Sequence, residues 1–132
     1  MQLKISTDYA IRIVLYLASV NKMTSSKELS NKLGIPQNFV FKITDKLQKE
    51  NILSKKTGIH GGFALKRDPR EISLYEIISI MEITNKINRC LEEDEYCSRF
   101  ATNSCHVRKF YIRLQFVIDE ELKNMTISDL LG

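Results

Sequence analysis

The residues with the most chemical potential in this chain are three cysteines, Cys90, Cys97 and Cys105. They are confined to "CLEEDEYCSRFATNSCH", with none elsewhere in its 132 residues. Six residues separate the first pair and seven the second. A zinc knuckle wants two to four intervening residues, so these gaps are too wide for one. They suit a loop wrapped around something larger than one ion, such as an iron–sulphur cluster (2Fe–2S or 4Fe–4S), whose iron is held by thiolates. The alternative is a set of free thiols acting as a redox switch, and reactive thiols favour an electropositive setting. Glu92, Glu93, Asp94 and Glu95 weigh against that setting and read as solvated loop acids. Three thiolates are one ligand short. His106 adjoins Cys105, and neighbouring side chains on a helix diverge by about 100°, which makes it a poor fourth.

Something must hold such a loop. The length suits one compact domain, or a small domain with an oligomerisation appendage. An apolar fraction of 43% with 27% charged residues is that of an ordinary folded chain. No apolar run approaches the ~20 residues of a membrane span, and "MQLKISTDYA" lacks the apolar core of a signal peptide. The expected setting is the reducing cytoplasm, away from any membrane, where clustered thiols do not normally build disulfides. The net charge of +4 is uneven. Lys22 to Arg67 holds ten bases against three acids, an excess of +7, whereas Cys90 to the end holds five against eight, or −3. A basic block points to a polyanion partner, if a fold presents it.

The periodicity supplies that fold. "STDYAIRIVLYLASV" is apolar on nearly all sides, a buried helix, with Ser6, Thr7 and Asp8 as capping chemistry. Ser25 and Glu28 form a capping-box pattern, Gly34 ends the helix they start, and Pro36 opens another with Phe39, Val40, Ile43 and Leu47 on its inner stripe. Two short helices around a glycine turn make a helix–turn–helix. Strand-like pieces around Gly58, Gly61 and Gly62 form a hairpin, the wing. A further helix starts at Ser73. After the cysteine loop, Val107, Tyr111, Leu114, Ile118, Leu122 and Met125 share one stripe of a long helix. Its apolar stripe would be buried by the same helix of a second copy, packed also on the first helix, to give a homodimer. The expected fold is mainly α with a small β-hairpin wing: a winged helix–turn–helix (1–84), a cysteine loop (85–106), and a C-terminal dimerisation helix with a short tail (107–132).

The stretches "DYAIRIVLYLA", "LSNKLGIPQNFVFKITDKLQKENILSKKTGIHGGFALKRDPREISLYEIISIME" and "TISDLL", with the cysteine loop and long helix between the last two, resemble a known bacterial regulator family. It is the family of small winged-helix repressors and activators that includes the iron–sulphur cluster regulator, the nitric-oxide-sensitive repressor and the cysteine-metabolism repressor. The resemblance covers essentially the whole chain. It is most specific from Leu33-Gly34-Ile35-Pro36 to Gly61-Gly62-Phe63, closed by Ile72-Ser73-Leu74. It implies a DNA-binding transcriptional regulator and no enzyme. The chain agrees, since His60 falls on the wing, His106 in the loop, and no nucleophile–base pairing is visible.

In that reading the recognition helix presents Gln37, Asn38, Phe41 and Lys42 to base edges in the major groove of double-stranded DNA. Asn and Gln can pair with adenine, and Lys with guanine or phosphate. First-turn capping is the alternative for Gln37 and Asn38. Phe41 stands where relatives often carry glutamate, and would touch a thymine methyl or be buried. Lys55 and Lys56 would contact phosphates. Thr57 replaces a frequent arginine at the wing tip, leaving minor-groove contact to His60. Two copies would read a pseudo-palindromic operator. Cluster-binding relatives have three cysteines here, usually five residues apart. Those with a histidine ligand have it three positions beyond the third cysteine, which here is Arg108. The nitric-oxide-sensing relative takes a fourth ligand from a partner carboxylate in "TDYA", which here is Asp8; its alternative role is a charge at a helix N-terminus. Sensing by free cysteine thiols or through a partner protein remains the second reading.

Overall fold

Ser25 stops one segment and starts the next by accepting a hydrogen bond from the Glu28 N–H at 3.1 Å, and helix nucleation at this point sets up the helix–turn–helix. The computed structural model describes all of residues 1–132. In chain order it holds α1 (Ile5–Val20), α2 (Ser26–Leu33), α3 (Gln37–Lys49), β1 (Leu53–Lys56), β2 (Gly62–Leu65), α4 (Leu74–Met81), α5 (His106–Asn124) and α6 (Ile127–Leu131). Single 3-10 turns lie at Pro69–Glu71 and Arg89–Leu91. Gly34, in the left-handed conformation at φ 65°, ends α2 and turns the chain into α3, with Pro36 just outside the helix as its cap.

One core joins these elements. It takes Ala10, Ile13, Val14 and Leu17 from α1, Leu29 from α2, Val40, Ile43 and Leu47 from α3, Leu53 and Phe63 from the hairpin, Ile77 and Met81 from α4, and Ile127 from α6. Tyr9 and Phe39 meet edge to face across α1 and α3, with ring centroids 5.8 Å apart. β1 and β2 pair antiparallel, Leu53 opposite Leu65 through Lys56 opposite Gly62. The wing is pinned to the start of α2 by a reciprocal pair of backbone hydrogen bonds between Thr24 and Phe63, both 2.8 Å. That approach needs Gly62: a Cβ there, at φ 145°, would lie 2.2 Å from the Thr24 carbonyl oxygen.

The N-terminus of α1 is capped differently from expectation. Ser6, Thr7 and Asp8 lie inside the helix, whose cap residue is Lys4, and no side chain of the segment caps it. Glu82, at the end of α4, does the work across 78 residues. Its carboxylate accepts the Lys4 N–H at 3.3 Å and the hydroxyl of the fully buried Thr7.

α5 also departs from the expected packing. Its principal neighbours are α4 and the Arg89–Leu91 turn, not α1. Tyr111, Leu114, Ile118, Leu122 and Met125 are half-buried against their own chain, and the one fully buried residue of α5 is polar, Gln115. The uncovered apolar side is Val107, Phe110, Ile112, Phe116 and Val117. α6 then returns to the head. Leu74 donates to the Met125 carbonyl and Ile127 to that of Ile72, each at 2.9 Å, and Ile127 is buried. No helix is long and apolar enough to cross a membrane.

Candidate functional site

The first half of the site is the exposed edge of α3 and the wing. Apolar residues of α3 at helical spacing turn inward, which leaves Gln37, Asn38, Phe41 and Lys42 on the outer surface. No side chain caps α3, so neither Gln37 nor Asn38 is used that way. Gln37 instead donates to the Ser26 hydroxyl at 3.3 Å, bridging α2 and α3. Phe41 is 51% exposed, which settles its alternative: it is not buried. Lys55, Lys56, Thr57 and His60 are all exposed on the wing, which turns sharply at Gly58 (φ 105°) with a Gly61 N–H to Gly58 carbonyl bond of 3.0 Å. Phe41, Lys42, Gln48 and Lys55 line a cleft between recognition helix and wing. Asp45 sits there too, paired with Lys49 at 3.0 Å, a placement that nothing in its sequence context signals.

The second half is the cysteine loop. It brings Cys90, Cys97 and Cys105, all free thiols and half-buried, to the wall of one cavity of about 350 Å³. The three are not gathered closely enough, with any other donor, to hold a single metal ion. Each sulphur accepts at least one N–H hydrogen bond. The Asn88 amide reaches Cys90 at 3.2 Å, the Ala101 backbone reaches Cys97 at 3.4 Å, and the Arg108 backbone reaches Cys105 at 3.4 Å. The last makes Cys105 the N-cap of α5, with its sulphur at the positive end of the helix. The Ala101 N–H, then that of Arg99, and more weakly the Arg99 charge, lower the Cys97 thiol below its ordinary pKa.

No acid lines this cavity, although Asp94 and Glu95 border Cys97 on its other side and pair with two of the cavity's arginines. Its lining holds Arg89, Arg99 and Arg108 and no carboxylate. Arg89 forks onto Asp94 and holds its carboxyl below the usual range, Glu95 pairs with Arg108 at 3.4 Å, and Glu92 accepts the Thr84 hydroxyl at 2.6 Å. The signal for this setting lies in the sequence, where every cysteine has an arginine within three residues (Arg89, Arg99, Arg108).

Neither His106 nor Asp8 lines the cavity. His106 is exposed at the start of α5. Asp8 pairs with Arg12 at 2.7 Å one turn on, with half of its side chain open to solvent. The loop's entry is fixed by Gln115, whose amide accepts the Ile87 N–H at 2.8 Å and donates to the Asn85 carbonyl at 2.9 Å and to Asp119 at 2.8 Å. Neither Gln115 nor Glu82 was singled out in the sequence, because their partners lie 28 to 78 residues away.

Residues 3–132 match the profile of the Rrf2 family, described as iron-dependent transcriptional regulators. A relative from Aquifex aeolicus (strain VF5), described as an HTH-type transcriptional regulator, is 31% identical over 94% of this chain and 87% of its own. Among solved structures, CymR, the global cysteine regulator of B. subtilis, superimposes with a TM-score of 0.80 at 21% identity, over 98% of this chain and 95% of that one. T. potens IscR does so with 0.77 at 20% identity, over 99% and 86%. At these identities the two structures establish the winged-helix fold.

Proposed function

The chain belongs to the Rrf2 family of transcriptional regulators, which are DNA-binding proteins and not enzymes, and from that premise we propose that an iron–sulphur cluster held by Cys90, Cys97 and Cys105 controls its grip on DNA. The observation that carries this reading is that three sulphurs share one cavity wall, each with an N–H donor. Thiolates with hydrogen-bonded sulphurs are the donor set such clusters use. The wide placement of the three suits a polynuclear group better than one ion. Bound there, the cluster would supply a centre that iron supply, oxygen or nitric oxide can alter. Asp8 of the partner subunit is the proposed fourth ligand, carried to it by dimerisation.

On DNA, the start of α3 enters the major groove with Gln37, Asn38, Phe41 and Lys42 toward base edges, while Lys55 and Lys56 hold phosphates and Thr57 and His60 follow the minor groove. Two copies joined through α5 read a pseudo-palindromic operator. The loop runs straight into α5, and its entry is bonded to that helix through Gln115. Ordering or releasing the loop therefore acts on the junction that sets the spacing of the two α3 helices, a coupling of about 1–3 kcal/mol.

One observation favours a second reading, a thiol switch without a cluster: Cys97 has the lowered pKa and the cationic neighbour of a reactive thiol. Anaerobic purification separates the two. A coloured protein with iron and acid-labile sulphide, whose operator affinity changes when the cluster is removed, supports the cluster. A colourless, iron-free protein whose operator affinity responds to thiol oxidation supports the switch.

A further inference from the structure

We propose that Arg108 is the positioning residue of the cysteine site, a strut that fixes the loop to α5 and sets the charge beside the sulphurs. The charge half of this inference rests on the cluster reading above; the strut half does not.

Arg108 lies in the first turn of α5 and touches three separated parts of the loop. Its backbone N–H donates to Cys105 Sγ at 3.4 Å, its Nε donates to the Cys90 carbonyl oxygen at 3.2 Å, and its Nη2 donates to Glu95 Oε1 at 3.4 Å. The side chain is 18% exposed, the least of any ion-paired cation in the molecule. Cys90 and Cys105 are fifteen positions apart in a segment whose other bonds are mostly local turns. One planar guanidinium thus fixes where the first cysteine stands relative to the third. A lysine cannot reproduce that, because a point ammonium lacks the fork that reaches a carbonyl and a carboxylate together. The same guanidinium faces the cavity that holds all three sulphurs. A fixed positive charge beside a cluster ligated by thiolates stabilises its more reduced state, since net charge is one determinant of cluster potential.

The test compares wild type, Arg108→Met and Arg108→Lys, with far-UV dichroism confirming equal helix content. In the metal-free protein at fixed pH, alkylation of Cys90 by iodoacetamide, read by peptide mass spectrometry, should quicken roughly tenfold in both variants, the scale of one lost charge-assisted hydrogen bond. In the loaded protein, Arg108→Met should lose iron to a chelator about 10–100-fold faster, as when a residue supporting a ligand is removed. Its midpoint potential should fall, and Arg108→Lys should restore the potential but not the slow alkylation. Unchanged alkylation in Arg108→Lys, which keeps the charge and loses the fork, overturns the strut, and an unchanged potential in Arg108→Met overturns the charge role. If wild type takes up no cluster while Arg108→Lys still quickens alkylation, the cluster reading and the charge role fall and the strut stands.

Discussion

Each functional side chain here owes its position to what the same residue does not do for the core. Lys42 is exposed because Val40, Ile43 and Leu47 take the inner face of α3. Lys42→Ala should weaken operator binding and reduce the slope of log affinity against log salt by about 0.9 for each copy of the chain on the operator, the counterion released per neutralised phosphate. An unchanged slope in a salt titration removes Lys42 from the interface. Glu82 acts in the opposite sense, on structure. Glu82→Ala strips a partner from the buried Thr7 hydroxyl and from the N-terminus of α1, the turn that carries Asp8. Urea unfolding should register a loss of about 1–3 kcal/mol, the cost of leaving a buried polar group unmet. Of these two residues only Lys42 was visible in the sequence. Its role follows from position on a periodic helix, whereas the role of Glu82 depends on a partner brought near only by folding.

At the scale of elements, local chemistry made α2, α3, α4 and the wing legible: capping serines at 25 and 73, the left-handed Gly34, and a change of period at Leu53. The hairpin illustrates why such signals suffice. Gly62 is required by the close approach of β2 to Thr24, and Gly62→Ala should cost about 1–3 kcal/mol of backbone strain, the usual penalty for a non-glycine residue held in such a region. Amide hydrogen exchange should show the Phe63 and Thr24 N–H groups losing protection while those of α1 keep theirs. Full protection at Phe63 in that variant would mean the wing is not anchored there. The cysteine loop was legible in its donor atoms and illegible in its electrostatics. Four acids in sequence suggest a negative site, yet Asp94 and Glu95 are spent on ion pairs with Arg89 and Arg108, and no carboxylate lines the cavity that the three sulphurs share. Orientation in an irregular segment has no period to read.

For the whole molecule the question is which face of α5 meets a second copy. Periodicity identified an apolar stripe and could not say what covers it. Most of that stripe is already partly buried in its own chain, so the proposed twofold contact keeps Val107 and otherwise moves to Phe110, Ile112, Phe116 and Val117, with Phe116 64% and Val117 62% exposed. A contiguous apolar face of this kind is seldom left wet in a soluble chain. A charge introduced there should separate the copies without unfolding the head, because none of the core side chains comes from α5. Phe116→Glu or Val117→Glu should therefore run at the mass of a single chain in light scattering with unchanged helix content. The same variants should bind a palindromic operator roughly a hundredfold more weakly, the avidity that two linked heads gain over one. Half-site binding should be nearly unaffected, since α3 and the wing are intact. A variant that still runs as a dimer places the twofold contact elsewhere, and with it the route by which Asp8 of the partner subunit could reach the cysteines.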